Sequence, residues 1–218
     1  MWGWVHRLLG GGWHRPGLSI ERLSQLVRQL DGEQASLEDA AFRRNGQEIL
    51  AALHNKCTQV ARDAGGYPDN PIRGDVWIDG ASLAPVAERL AQLLRARGAT
   101  DLERQAHVIR CRAVLAVQSH YHDVVGPAML SRADCEERLG ETAAALACYD
   151  AVVDDFSFIV EECEAGCDGP GRADRASLEC LGEAILRRRA LSDQPVLEAL
   201  GRRVAALLER APAAGPST

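Results

Sequence analysis

Lysine is almost missing from this 218-residue chain: of its 25 basic residues only Lys56 is a lysine, and arginine supplies the rest. Aromatics are scarce at 5%, which weighs against a β-sandwich core rich in Tyr, Thr and Ile. A net charge of −6 offers no general attraction for polyanions, so nucleic acid is not an expected partner. No stretch of about 18 apolar residues is present to cross a bilayer, and the start of the chain lacks a secretory h-region and an A-x-A site. Seven cysteines, an odd number without paired C-x-x-C spacing, fit reduced thiols and a cytoplasmic setting. Also lacking are a Ser/His/Asp order, a Gly-rich phosphate loop after a strand and an HExxH helix. The expectation is therefore no catalytic residue, no metal and no cofactor.

Apolar residues, by contrast, make up 46% of the chain, and their spacing is helical. Ser19 is placed to cap a helix over Ile20–Leu30, with Leu23, Leu26, Val27 and Leu30 on one face. Ser36, with Asp39 three residues on, looks like the start of a longer helix whose stripe is Phe42, Ile49, Leu53, Cys57 and Val60. Residues 65–80, crowded with Gly and Pro, are expected to be an irregular loop, and a helix to begin at Ser82 and end at Gly98. Thr100 and Glu103 suggest a helix to about His122, and Gly126-Pro127 a break before a short helix, Ser131–Leu139. The clearest element is a helix over Glu141–Glu164. Its seam of Leu146, Tyr149, Val153, Phe156, Val160, Cys163 and Cys167 alternates spacings of three and four, opposite Asp150, Asp154, Ser157, Glu161 and Glu164. Two more helices, near Ala173–Leu191 and Pro195–Arg210, complete an all-α irregular bundle of about seven or eight helices. The expected organisation is an apolar Trp-rich segment at 1–18, one helical domain at 19–210 and a disordered tail at 211–218.

Within that pattern, Ala133, Gly140, Ala145 and Tyr149 have the spacing of a small residue, an inter-helix glycine, a second small residue and an aromatic. The stretch around 131–156 thereby resembles one copy of a tetratricopeptide (TPR) repeat. It departs from that family in three ways: the second helix runs on, no Pro closes the repeat, and no copy recurs at the repeat period. The resemblance implies a stack of antiparallel helices that binds a peptide or protein, and it transfers no binding residues.

Several candidate sites compete with plainer roles. Cys163 and Cys167, one turn apart, could form a soft-metal or redox site with Cys180, but they fall on the apolar seam, where free cysteine packs as a small hydrophobe. His120 and His122 point about 200° apart on a helix and share an ion only if the helix has ended. The 65–80 segment brings Tyr67, Arg73 and Trp77 together as partner-gripping residues or as packing anchors. Eleven acidic residues against Arg138 alone fill 134–168, while 172–210 hold eight arginines against six acidic residues. Asp150, Asp154 and Glu161 are thus either a docking face or a solvated face lying beside the arginine-bearing helices. Trp2, Trp4 and Trp13 are expected to dock on the core, on a partner or on a membrane surface.

The preferred reading is a non-enzymatic scaffold or adaptor that holds a protein partner or a second copy of itself. A metal- or thiol-dependent enzyme using the His120/His122 and Cys163/Cys167 region, and peripheral membrane attachment through the Trp segment, stay open as alternatives.

Overall fold

Eight α-helices and one short 3₁₀ turn, with no strand, account for the regular structure of the described residues. The structure, a computed structural model, describes residues 18–65, 73–118, 122–166, 172–192 and 195–211. The helices are α1 (Ile20–Glu33), α2 (Asp39–Ala64), α3 (Gly74–Ala96), α4 (Thr100–Gln118), α5 (His122–Arg138), α6 (Thr142–Ala165), α7 (Arg172–Leu191) and α8 (Pro195–Arg210). The all-α irregular bundle expected from the spacing is what forms. It divides into two compact units, residues 1–120 and 121–218.

In the first unit α4 packs on α2 and α3, and α1 covers α2 and α3. Ser19 caps α1 as its sequence suggests: the Arg22 amide donates to Ser19 Oγ at 3.2 Å. Leu23, Leu26, Val27 and Leu30 turn inward and meet Phe42, Leu53, Leu90 and Leu94 in one core. Each fully buried Leu or Phe contributes about 1.5–3 kcal/mol over leaving it in water. Ser36 does not start α2. It closes the 3₁₀ turn Gln34–Ser36, its Oγ donating to the Glu33 carbonyl, and α2 begins at Asp39. Arg97, just past α3, fixes this corner. Its guanidinium donates to the Gln34 and Leu37 carbonyls and to Asp39, and it lies 4.9 Å from the Phe42 ring centroid.

The expected irregular loop at 65–80 is corrected by the structure from Gly74 onward, where α3 begins and runs unbroken through Ser82 and Pro85 to Ala96. The glycine read as a breaker has a different job. A Cβ on Gly80 would sit 2.5 Å from Val117 Cγ2 and 2.7 Å from Cγ1, so Gly80 lets α3 approach α4 closely. Pro85 withholds one helical donor, that for the Ala81 carbonyl, a local cost the surrounding packing offsets. Lys56 ties α3 to α2: it is almost buried and lies 2.6 Å from Asp79.

In the second unit α6 packs on α5 and α7, and α8 on α6 and α7. The long helix is Thr142–Ala165, within a residue of its expected bounds. Its seam is broader than one line of side chains, because Cys148, Val152 and Ile159 are buried along with Tyr149, Phe156 and Val160. The break expected at Gly126-Pro127 is also corrected, since α5 starts at His122 and passes through both residues. Here too a glycine allows close approach: a Cβ at 126 would meet Phe156 Cε2 at 2.8 Å and Cys180 Sγ at 3.1 Å. True turns are marked instead by left-handed glycines, Gly98 (φ +64°) and Gly140 (φ +76°). Each is closed by a pair of Schellman bonds, for Gly140 from Gly140 N to Glu137 O and from Glu141 N to Glu136 O, both 2.9 Å. The TPR-like positions lie around that turn: Ala133 and Ala145 are fully buried, and Tyr149 is 1% exposed.

Candidate functional site

Three places deserve comparison: the thiols, the acidic helix face and a groove in the first unit. Three of the thiols, Cys57, Cys148 and Cys180, are shifted away from nucleophilic activation. Burial pushes the Cys57 thiol up against a smaller opposing pull from Arg112. It pushes Cys148 up as well, with Arg132 opposing and Glu136 adding to the rise. Cys180 is raised to about 11, first by burial and then by the charges of Glu183, Glu179 and Asp123. A reactive cysteine needs the opposite shift. Cys163 is buried on α6, and among the described residues no three His, Cys, Asp or Glu side chains gather to hold a metal ion. His120, Cys167 and the His122 side chain lie outside the described residues.

Two outcomes are expected. In native protein at mild alkaline pH, Cys57, Cys148 and Cys180 alkylate far more slowly than after unfolding, as mass spectrometry of labelled peptides would read; one of them reacting at the unfolded rate would refute the assignment. Because the folded-state values are raised, the stability held by the protonated thiols is fully present below the unfolded value of 9.0. It is lost as pH rises through about 11 for Cys180.

Acidic and basic helices meet within the second unit. Arg188, 7% exposed, sends Nε to Asp150 Oδ1 at 2.6 Å. Arg203 grips both oxygens of Glu164, at 2.9 and 2.6 Å, and its hydrogen bonds hold the Glu164 carboxyl below the usual range. Arg187 reaches Glu137 at 3.2 Å and Asp134 at 3.5 Å. The Tyr149 hydroxyl donates to the same Glu137; burial first, and then that carboxylate, drive the phenol well above its ordinary range. Of the three acidic residues singled out on α6, Asp150 is thus committed to a neighbouring helix, while Asp154 and Glu161 stay exposed. Phe158 stands between them at 42% exposure.

The first unit offers a different surface. A groove of about 670 Å³ runs between α1 and α3. Its α3 wall is Ile78, Ser82, Pro85 and Arg89, spaced by four, three and four; its α1 wall is Ile20, Ser24, Val27 and Arg28. The exposed lining is mainly apolar, with Glu21, Asp79, Arg28 and Arg89 at the rim. Ile78 is 59% exposed, and Trp77 next to it is 37% exposed. Arg73, exposed just before α3, pairs with Asp75 at 3.4 Å. Trp77 and Arg73 therefore share the start of a helix instead of a loop; Tyr67, Trp2, Trp4 and Trp13 lie outside the described residues.

Ile78 and its stripe were missed by the sequence reading because the helix was started at Ser82. Extending the stripe of three-and-four spacing back across Gly80 would have exposed Ile78 as the apolar residue left over from the core face. Comparison with known proteins adds nothing to this geometry: no protein-family model, no curated protein and no solved structure matches the chain.

Proposed function

We propose that this chain is a non-enzymatic helical scaffold or adaptor, cytoplasmic in setting, that holds an apolar helix face of a protein partner in the α1/α3 groove. The observation that carries this reading is Ile78. It is a large aliphatic side chain more than half exposed on the wall of a groove with an apolar floor and a rim of both charge signs. That arrangement suits helix-in-groove recognition, where a few apolar anchors supply affinity and the rim sets register. Trp77 and Arg73, beside the groove mouth, are the residue types that anchor interfaces. The Cys57, Cys148 and Cys180 thiols are shifted away from reactivity, which agrees with a binding role. The TPR-like α5–α6 hairpin is in keeping with an adaptor built from packed helix pairs.

A second reading, favoured by Phe158 between Asp154 and Glu161, gives the outer face of α6 to a basic partner. The two separate by salt and by substitution. Immobilised full-length protein is expected to retain a partner from source lysate that persists in high salt, where exposed charge pairs are screened, and that is lost in Ile78→Asp. Retention unchanged by Ile78→Asp but abolished by salt, or by Asp154→Asn with Glu161→Gln, would transfer the site to α6. A chain that retains no partner under any of these conditions contradicts both.

A further inference from the structure

A second groove in the first unit, of about 470 Å³, runs between α2 and α4. Its floor is apolar, formed by Leu50, Ala51 and Ile109, and its α4 wall carries Arg104, Val108 and Arg112, each four residues after the last. Arg112 is exposed, as are His54 and Asn55 on the facing α2 wall. Although the chain has a net charge of −6, no carboxylate lines this groove among the described residues. Asp101, one turn before Gln105 on α4, has both its oxygens on Arg43, at 2.7 and 2.8 Å. We infer that the groove docks the outer face of α6 from a second copy of this chain, with Phe158 over the apolar floor and its flanking carboxylates on Arg104 and Arg112.

Spacing and charge support this occupant. Arg104 and Arg112 stand eight residues apart, about 12 Å at the helical rise, with Val108 midway. On α6, Phe158 is 42% exposed. Asp154 and Asp155 lie one turn before it and Glu161 and Glu162 one turn after, all four exposed. The two carboxylate pairs are seven residues apart, about 10.5 Å along the helix. Each surface thus runs charge, apolar, charge with nearly the same repeat and opposite sign, which favours encounter and fixes register. Because the two surfaces differ, the contact is heterologous: a copy that gives its α6 still has its own groove to fill. One helix face in one groove belongs with the interfaces below about 1,200 Å² that form transiently, so association is weak and dilute protein is dispersed.

This inference rests on the second reading above, which gives α6 a basic partner, and is independent of the α1/α3 groove. Sedimentation velocity of purified full-length protein tests it with no other protein present. The average mass is expected to rise with protein concentration and to fall back in high salt. Arg112→Glu in the groove, or Asp154→Arg on α6, should each weaken association by about tenfold or more, with the circular-dichroism melt unchanged. Asn55→Asp gives a milder groove variant should Arg112→Glu disturb the fold. An equimolar mixture of Arg112→Glu and Asp154→Arg should then form a one-to-one pair, because the first keeps an intact α6 face and the second an intact groove. A chain that stays monomeric at every concentration overturns the inference. So does association indifferent to both variants with the fold intact, or a mixture no more associated than either variant alone. A monomer that still retains a basic partner from lysate through Asp154 and Glu161 would leave the α6 reading standing and remove only the second copy.

Discussion

Gly126→Val is expected to destabilise the second unit by an amount near the top of the about 1–3 kcal/mol range for overpacking, even though glycine is the poorer helix former by about 1 kcal/mol relative to alanine. The reason is the 2.8 Å separation between a Cβ at this position and Phe156 Cε2, with Cys180 Cβ and Sγ both at 3.1 Å on the other side. Phe156 is fully buried at the centre of α6's seam, so the ring cannot swing into water, and the added methyls must push α5 off α6 or α7. The same geometry predicts a sign for coupling. Phe156→Leu alone should cost stability by opening a cavity, yet it removes Cε2 and so should recover part of the loss in Gly126→Ala. Chemical denaturation of the two singles and the double gives the coupling energy. Additive losses would mean that α5 does not approach Phe156 as described.

Asp150→Ala is the second large effect, expected at about 2–3 kcal/mol. Its carboxylate is half exposed, but the cation it serves is not. The Arg188 side chain is 8% exposed, its Nε bonds Asp150, and its Nη1 has no hydrogen-bond partner among the described residues. Removing Asp150 leaves a guanidinium nearly stranded from solvent, a greater cost than the pair's net worth. Arg188→Met, which removes the charge and keeps much of the stem's packing, should cost less than Asp150→Ala. Asp154→Ala, one turn along on the exposed face, should fall within about 0.5 kcal/mol of the parent. Equal losses from Asp150→Ala and Asp154→Ala would return Asp150 to the solvated surface.

These two effects explain which features the sequence reveals and which it hides. The long helix was legible almost to the residue because Leu146 to Cys163 repeat at helical spacing with carboxylates opposite, a signal that packing reinforces. The cap at Ser19 was legible because a side-chain oxygen there has one obvious use. What misled was glycine within apolar stretches. Gly80 and Gly126 have the composition of breaks, but each lies where a neighbouring helix comes too close for a Cβ, and spacing along one chain carries no information about that neighbour. The same error hid Ile78, since a helix begun at Ser82 has no first turn on which to place it. Charge was legible in amount but not in destination. The acidic excess of 134–168 and the arginines of 172–210 implied attraction; only the fold shows Arg188 on Asp150, Arg203 on Glu164 and Arg187 on Glu137, leaving Asp154 and Glu161 outside those pairs.

Asp150 and Glu164 are spent on holding α6 to α7 and α8 while Asp154 and Glu161 are not, so the proposal that recognition uses the α1/α3 groove has to be tested against that acidic face. Hydroxyl-radical footprinting of the full-length chain, with and without the partner it retains, tests this most directly. Side chains that are exposed in the free chain report their own protection: Trp77, Ile78 and Pro85 around the groove, and Phe158, Leu186 and Val196 elsewhere. The account predicts that the partner suppresses oxidation of Trp77, Ile78 and Pro85 and leaves Phe158, Leu186 and Val196 as reactive as before. Protection of Phe158 with Ile78 unchanged would contradict it, and would place recognition on the acidic face of α6.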